Sequence, residues 1–289
     1  MTDADLLRRQ LALIDQGVAC ATVQIVRVNG SIPNELGARM LVTPGEDRAT
    51  LVAGTVGGGK IEYEALALAN QALAAEQSRT VSARLTEQEA GGIGMMCGGQ
   101  VDLFIEVHLP VHRLVLCGAG HINIALARLA RGLGLRVTVL DDRPDWASRE
   151  HYPDLEPGRD LLVEEPAAAI PGLGLDARSY VVVGTRSNDT EVVVAASQTP
   201  ARYIGVVASR RKAIRIIKEL AHRPEVDLAA LLPRFFGPIG LTLGGRSPEA
   251  VALSILAEVQ AHRHGLDAAP MRVPPAELTR LLERSQVNP

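Results

Sequence analysis

The residues best equipped for chemistry lie between 114 and 123, where Leu-Val-Leu-Cys runs straight into Gly-Ala-Gly and then His-Ile-Asn. Gly118 permits a tight turn there, and Gly120 lets backbone approach a ligand with no Cβ in between. Free amides at a helix start, with the positive end of its dipole, suit a phosphate. About 20 residues on, a second apolar run, Val137 to Leu140, ends in Asp141, where an acid can take the hydroxyl pair of a ribose. His121 lies inside the same loop, placed either to touch a ligand or simply to start the helix. The third glycine of the usual fingerprint is replaced by Asn123. Two readings therefore stay open: a dinucleotide, or another phosphate-bearing ligand on the same scaffold.

Three earlier loops also carry chemistry. The segment 30–40, GSIPNELGARM, combines turn formers with Arg39. The segment 54–65, GTVGGGKIEYEA, sets Gly57, Gly58 and Gly59 before a helix, with Lys60 and Glu62 in its first turn. Consecutive glycines opening a helix expose amides that cradle an anion, and Lys60 adds a point charge. No Ser or Thr follows Lys60, so this is not a Walker A loop; close helix-to-strand packing is the plainer reading. The segment 91–99, GGIGMMCGG, holds Cys97 beside Gly98 and Gly99. A thiol among amides gains nucleophilicity from a lowered pKa, although a semi-buried thiol with no chemistry fits as well.

In the second half, Thr185-Arg186-Ser187-Asn188-Asp189 and Ser209-Arg210-Arg211-Lys212 fall at the carboxyl ends of expected strands. Open α/β sheets bind ligands at that edge. Ser209 with Arg210 and Arg211 at a helix start suits a phosphate or carboxylate. Asp189 has a second reading as a helix cap, and Arg211 and Lys212 as a solvated turn. No metal site is evident, since His262 and His264 do not share a helix face.

These loops need elements to hold them. Residues 4–16 read as an amphipathic helix and 19–28 as a β-rich run, followed by short strands at 39–43 and 50–54. A helix over 61–75 and strands over 80–85 and 100–108 complete a small α+β domain, residues 1–109. From Val111 strands and helices alternate, which argues for a parallel sheet covered on both faces. The spacing predicts strands at 114–117, 136–140, 160–163, 180–184 and 203–207, and helices at 122–133, 188–197, 210–222 and 248–262. The fold class is thus α/β: a Rossmann-like domain over 110–265 with a smaller N-terminal α+β domain, then a proline-bearing tail over 266–289.

With 289 residues the chain can bury two cores. A net charge of −3 and 3% aromatic residues give no electrostatic or stacking case for nucleic acid. No apolar run approaches the ~20 residues that span a bilayer. The start, MTDADLLRRQ, lacks the order of a signal peptide, so the cytoplasm is the expected location. The three cysteines, Cys20, Cys97 and Cys117, show no C-x-x-C spacing, and Cys20 and Cys117 read as small buried hydrophobes.

Taken in order, several blocks resemble the XdhC/CoxI family, accessory proteins of xanthine dehydrogenase and related molybdenum hydroxylases. They are GSIPNELGARMLVT, GTVGGGKIE, GMMCGGQVDLFIE, LVLCGAGHI with VTVLDDRPDWA, YIGVVASRRKA and PIGLTLGGRSPEAVALSILAEV, covering about residues 10–262. Many members carry Cys where this chain has Lys60, and a His-rich turn where it has Thr185 to Asp189. The resemblance implies a chaperone that binds molybdenum cofactor in its molybdopterin form, in a cleft between the domains. It implies that a cysteine desulfurase sulfurates the cofactor there before it passes to the client hydroxylase, with Cys97 near the metal or the sulfur. It also implies a homodimer. The alternative is an NAD(P)-dependent oxidoreductase, in which Asp141 favours NAD over NADP; no hydride-transfer acid or base is apparent beside the loop.

Overall fold

The structure is a computed structural model that describes residues 2–29, 35–84, 100–269 and 271. The chain divides into two compact units, Met1–Val111 and His112–Pro289.

In the first unit, strands β1 (Cys20–Asn29), β2 (Arg39–Thr43), β3 (Thr50–Gly54), β4 (Arg79–Arg84) and β5 (Gln100–His108) form one sheet in the order β3-β2-β1-β5-β4. Every pairing in it is antiparallel. Strand alternation assigns the two faces. Ala21, Val23, Ile25, Met40, Val42, Val101, Leu103 and Ile105 point to helix α2 (Gly59–Ala74), which adds Ile61, Ala65, Ala69 and Ala72. Cys20, Leu41 and Ala53 face the other way and pack with Leu6 of helix α1 (Asp3–Asp15). Helix α1 starts with a capping box between Thr2 and Asp5.

The second unit is a six-stranded parallel sheet, in the order β11-β10-β9-β6-β7-β8. Its strands are β6 (Arg113–Cys117), β7 (Arg136–Leu140), β8 (Leu161–Leu162), β9 (Ser179–Val183), β10 (Tyr203–Val206) and β11 (Phe235–Phe236). The chain enters at the centre, winds outward through β7 and β8, and returns to the other side of β6 for β9, β10 and β11. That is the doubly wound order of dinucleotide-binding folds, with its direction switch between β6 and β9. The last strand has two residues, too short to leave a period in the sequence.

Both faces of this sheet are covered, and the alternation is strict. Leu114, Leu116, Val137, Val139, Tyr180 and Val182 pack towards helices α3 (His121–Arg131) and α8 (Pro248–Arg263). Val115, Cys117, Val181, Val183, Ile204 and Val206 pack towards α5 (Asp189–Ser197) and α6 (Arg210–Leu220). Short helices α4 (Pro166–Ala169) and α7 (Leu228–Leu231) sit in the crossovers. Among the described residues, no helix is long and apolar enough to cross a membrane.

One side chain clamps the turn that brings the chain from α5 to β10. Arg234 donates to the carbonyls of Ser197, Thr199, Ala201 and Ala230. An Arg234→Ala variant leaves these acceptors without their shared donor, and should lose about 2–4 kcal/mol. Urea denaturation checks this; a midpoint unchanged from wild type would mean that water replaces the guanidinium at no cost.

Candidate functional site

The Gly-x-Gly turn is built by the two strands that flank the direction switch. At the end of β6, Gly118 has φ +101°, donates its amide to Leu140 at 2.7 Å, and lies against the β9 loop. A Cβ added to Gly118 would stand 2.4 Å from the carbonyl oxygen of Gly184. Asn123, buried in the first turn of α3, donates from Nδ2 to the Gly118 carbonyl at 2.5 Å. The residue in the third-glycine position thus ties the turn together by its side chain.

Gly120 behaves differently. It is the N-cap of α3, with an ordinary φ of −72°, no side-chain cap, and nothing within 4 Å of the place a Cβ would occupy. Neither backbone strain nor protein packing explains a glycine here. Open space in front of uncapped helix amides is what an approaching ligand requires. A Gly120→Ala variant should therefore fold normally. The poorer cap costs about 0.5–1 kcal/mol and the stiffer unfolded chain returns a similar amount, so thermal melts should agree within about 1 kcal/mol.

Asp141, expected as a free acceptor for ribose hydroxyls, is not free. Its Oδ2 accepts the Ala119 amide at 2.6 Å and Arg143 Nη2 at 2.7 Å; its Oδ1 accepts the Arg143 amide at 3.0 Å and Nε at 2.8 Å. A carboxylate offers about four acceptor positions, and all are taken. Burial alone would raise its pKa, but the Arg143 guanidinium and the two amides outweigh it and hold the carboxyl below its usual value. Asp141 also consumes the Ala119 amide that a phosphate would otherwise meet. Its place is structural: it locks the turn and aims Arg143.

The β9 loop is fixed in the same manner. Asp189, expected to contact a cofactor, is 3% exposed. It accepts the Thr185 hydroxyl and, at 3.0 Å, the Thr185 amide, while Lys212 Nζ lies 2.5 Å from its Oδ2. Thr185 Oγ1 in turn accepts the Asn188 amide at 3.2 Å. Asp189 is thus a buried anchor, and it leaves Thr185, Arg186, Ser187 and Asn188 to line the crevice.

Two cavities flank the turn. One, of about 370 Å³, is bounded by Gly118, Asp142, Arg143, Glu165 and the loop Thr185 to Asn188. The other, of about 330 Å³, is bounded by Gly120, His121, Asn123, Gly184, Arg246 and Pro248. His121 is exposed and meets the edge of Trp146, ring centroids 5.2 Å apart. Ser209 caps α6 by accepting the Lys212 amide at 3.3 Å. With Arg211, Lys212, Arg215 and Lys218 it borders a separate depression of about 560 Å³, so the sheet edge does not bring Ser209 and Arg210 into the crevice at the switch. Cys117 is fully buried, and burial first, with Glu165 and Asp189 adding to it, pushes its thiol far above the usual range.

In the first unit the strand ends that flank the three chemistry-bearing segments lie at one end of the sheet. Asn29 pairs with Gln100, Gln100 with Arg84, and Met40 with Gly54, so the ends flanking all three loops share that edge. Cys97, Gly98 and Gly99 lie outside the described residues. Gly57, Gly58 and Gly59 all have positive φ. A Cβ at Gly58 or Gly59 would meet nothing within 4 Å, so backbone conformation, not close packing, calls for glycine. The Gly57 amide is spent on Thr55 Oγ1 at 3.1 Å, and Glu62 Oε2 accepts the Thr55 hydroxyl at 2.5 Å. Lys60 is exposed, and Arg39 is partly buried with its carbonyl accepting the Thr55 amide at 3.1 Å.

Family models match both units: the XdhC Rossmann domain over residues 114–259, and the XdhC and CoxI family over residues 13–83. The chain belongs to the XdhC and CoxI family. An uncharacterized protein of Escherichia coli K12, YqeB, is 32% identical over 248 residues, 86% of this chain and 44% of that one. A protein of Bacillus subtilis 168, named as a probable xanthine dehydrogenase subunit, is 28% identical over 160 residues, 55% of this chain and 45% of that one. The chain spans less than half the length of these two curated relatives. A solved structure of a xanthine dehydrogenase from Bacillus halodurans aligns with a TM-score of 0.47 at 20% identity, over 96% of this chain and 99% of that one.

Within this XdhC-family chain, sequence reasoning passed over Arg143, Glu165 and Arg246, which border the cavities. Arg143 did leave a signal: an Asp-x-Arg at a strand end lets the guanidinium fold back on the carboxylate two residues earlier.

Proposed function

We propose that the chain is an accessory protein in the maturation of a xanthine dehydrogenase-type molybdenum hydroxylase, holding molybdenum cofactor in its molybdopterin form. One observation carries this reading beyond the family relationship: uncapped α3 amides and the unfilled space at Gly120 open on the crevice between the β6 and β9 loops. Molybdopterin bears a phosphate, and the residues present fit one. The His121 and Ile122 amides would take its oxygens, with the α3 dipole behind them. Asn123 and Asp141 keep the turn in shape, and the Gly184 loop forms the far wall.

When bound, the cofactor supplies the redox-active molybdenum; this chain binds, orients and shields it. A cysteine desulfurase would add the terminal sulfur while the cofactor is held, and the client hydroxylase would receive it. The test is activation of an apo-hydroxylase by this protein loaded with cofactor and desulfurase-supplied sulfur. Loaded protein should activate it at least several-fold faster than the same amount of free cofactor. Equal rates would remove the carrier role.

A further inference from the structure

We propose that the bound molecule runs from Gly120 along α3, away from Asp141, and that Glu249 and Arg128 read the edge of an aminopyrimidinone head such as a pterin. This deepens the carrier role proposed above and rests on it. The head lies in a third cavity, of about 370 Å³, which shares His121 and Pro248 with the cavity at Gly120.

Charge sets the direction. The cavity at Gly120 is bordered by the Arg246 guanidinium and, among its described residues, by no carboxylate, which suits a phosphate. The cavity beside Asp141 offers less to either end of the molecule. Asp142 and Glu165 repel an anion there, and Arg143 is committed to Asp141. Its acids are also poor acceptors for a head group. Asp141 is saturated, Glu165 takes the Ala168 amide at 2.9 Å and Asn188 Nδ2 at 2.7 Å, and Asp142 is exposed to solvent.

The third cavity suits a flat ring. Ile124, Ala125 and Leu129 of α3 give it an apolar border, and Leu129 is 41% exposed. One indole holds its two imidazoles: Trp146 meets His121 edge-on, ring centroids 5.2 Å apart, and His151 at 5.3 Å. At about 1.5 Å per residue, Arg128 stands about 10 Å along α3 from His121, roughly the reach of a pterin from its phosphate to its amino edge.

Two opposite charges close that end. Glu249 lies in the first turn of α8, where its own amide and the Ser247 hydroxyl hold its carboxyl below the usual value, so it is ionised at neutral pH. Arg128 makes no hydrogen bond or ion pair among the described residues. An aminopyrimidinone edge presents two N–H donors beside one carbonyl oxygen. A carboxylate accepts from both donors, and a guanidinium donates to the oxygen. Adenine presents an amino donor beside a bare ring nitrogen, which sets a lone pair against the carboxylate.

Calorimetric titration of the full chain with GMP and with AMP tests this, because guanine carries the same edge as a pterin. The pterin content of protein from a cofactor-producing host is read beside it. GMP should bind at least about fivefold tighter than AMP, and Glu249→Gln should abolish that preference. Glu249→Gln should also retain at least about fivefold less pterin than wild type. Arg128→Gln, on the other helix, should lose about threefold in both readouts. A glutamate that did no more than complement the α8 dipole would move neither. GMP and AMP binding alike, or both variants matching wild type in preference and pterin content, overturns the proposal and leaves the carrier role standing. A GMP preference that Glu249→Gln removes, in protein that never carries pterin, upholds the site and removes the pterin. Where neither nucleotide binds, pterin content decides: a fall in Glu249→Gln upholds the site, equal content overturns it, and no pterin in wild type ends both readings.

Discussion

Gly118→Ala should cost the second unit about 3–5 kcal/mol. Two independent penalties add. A φ of +101° is unfavourable for any residue with a Cβ, and that Cβ would lie 2.4 Å from a backbone oxygen of Gly184. Backbone cannot swing aside as a side-chain tip does, because Gly184 is itself held by its amide to the Cys117 carbonyl at 2.9 Å. Relief therefore means parting β6 from β9 at the switch. For a unit of this size the melting temperature should fall by about 10 °C. Calorimetry checks it, and a fall of less than about 2 °C would mean that the two loops are not in contact as described.

Asp141→Asn should be nearly as damaging, by about 3 kcal/mol near neutral pH. Asparagine keeps the shape but turns one acceptor into a donor facing an N–H, and leaves the Arg143 charge without its partner. Acid dependence gives a sharper signature. The folded carboxyl titrates below its unfolded value, so its contribution is complete above about pH 4 and is lost as the pH falls through the folded pKa. Wild type and variant should therefore differ most at pH 6–7 and converge as acid protonates Asp141. Urea midpoints measured from pH 7 down to pH 3 decide this; a constant gap across that range would show that the carboxylate charge contributes nothing. Adding Arg143→Met to Asp141→Asn should cost less than the sum of the two singles, because the stranded charge is then gone.

These variants also mark what the sequence could and could not tell. Gly118 and Gly120 were legible because an apolar strand, a Gly-x-Gly and a periodic helix follow one another within a few residues. Their separate reasons were not. The clash at Gly118 involves Gly184, which is remote in sequence, and the open space at Gly120 is an absence of neighbours. Asp141 was rightly placed at a strand end, but its saturation depends on how Arg143 folds back and where the Ala119 amide points. Asp189 looked like a ligand contact because its loop faces the right edge; Lys212 of the next helix reaches in to bury it. Asn123 looked like a defect in a fingerprint, and its amide turns out to brace the turn. The strands of the parallel sheet were readable as short apolar runs, because a sheet covered on both faces buries every residue along a strand. The β11 pairing was not, since two residues carry no period.

The measurement closest to the central claim is pterin retention at matched stability. Wild type and Gly120→Ala, expressed in a cofactor-producing host and shown to melt alike, would be denatured, oxidised and assayed for fluorescent pterin. The wild type should carry pterin and the alanine variant at least about tenfold less, because the added methyl fills the space in front of the α3 amides. Equal pterin in both proteins, or none in the wild type with cofactor in excess, would contradict a phosphate grip at this turn.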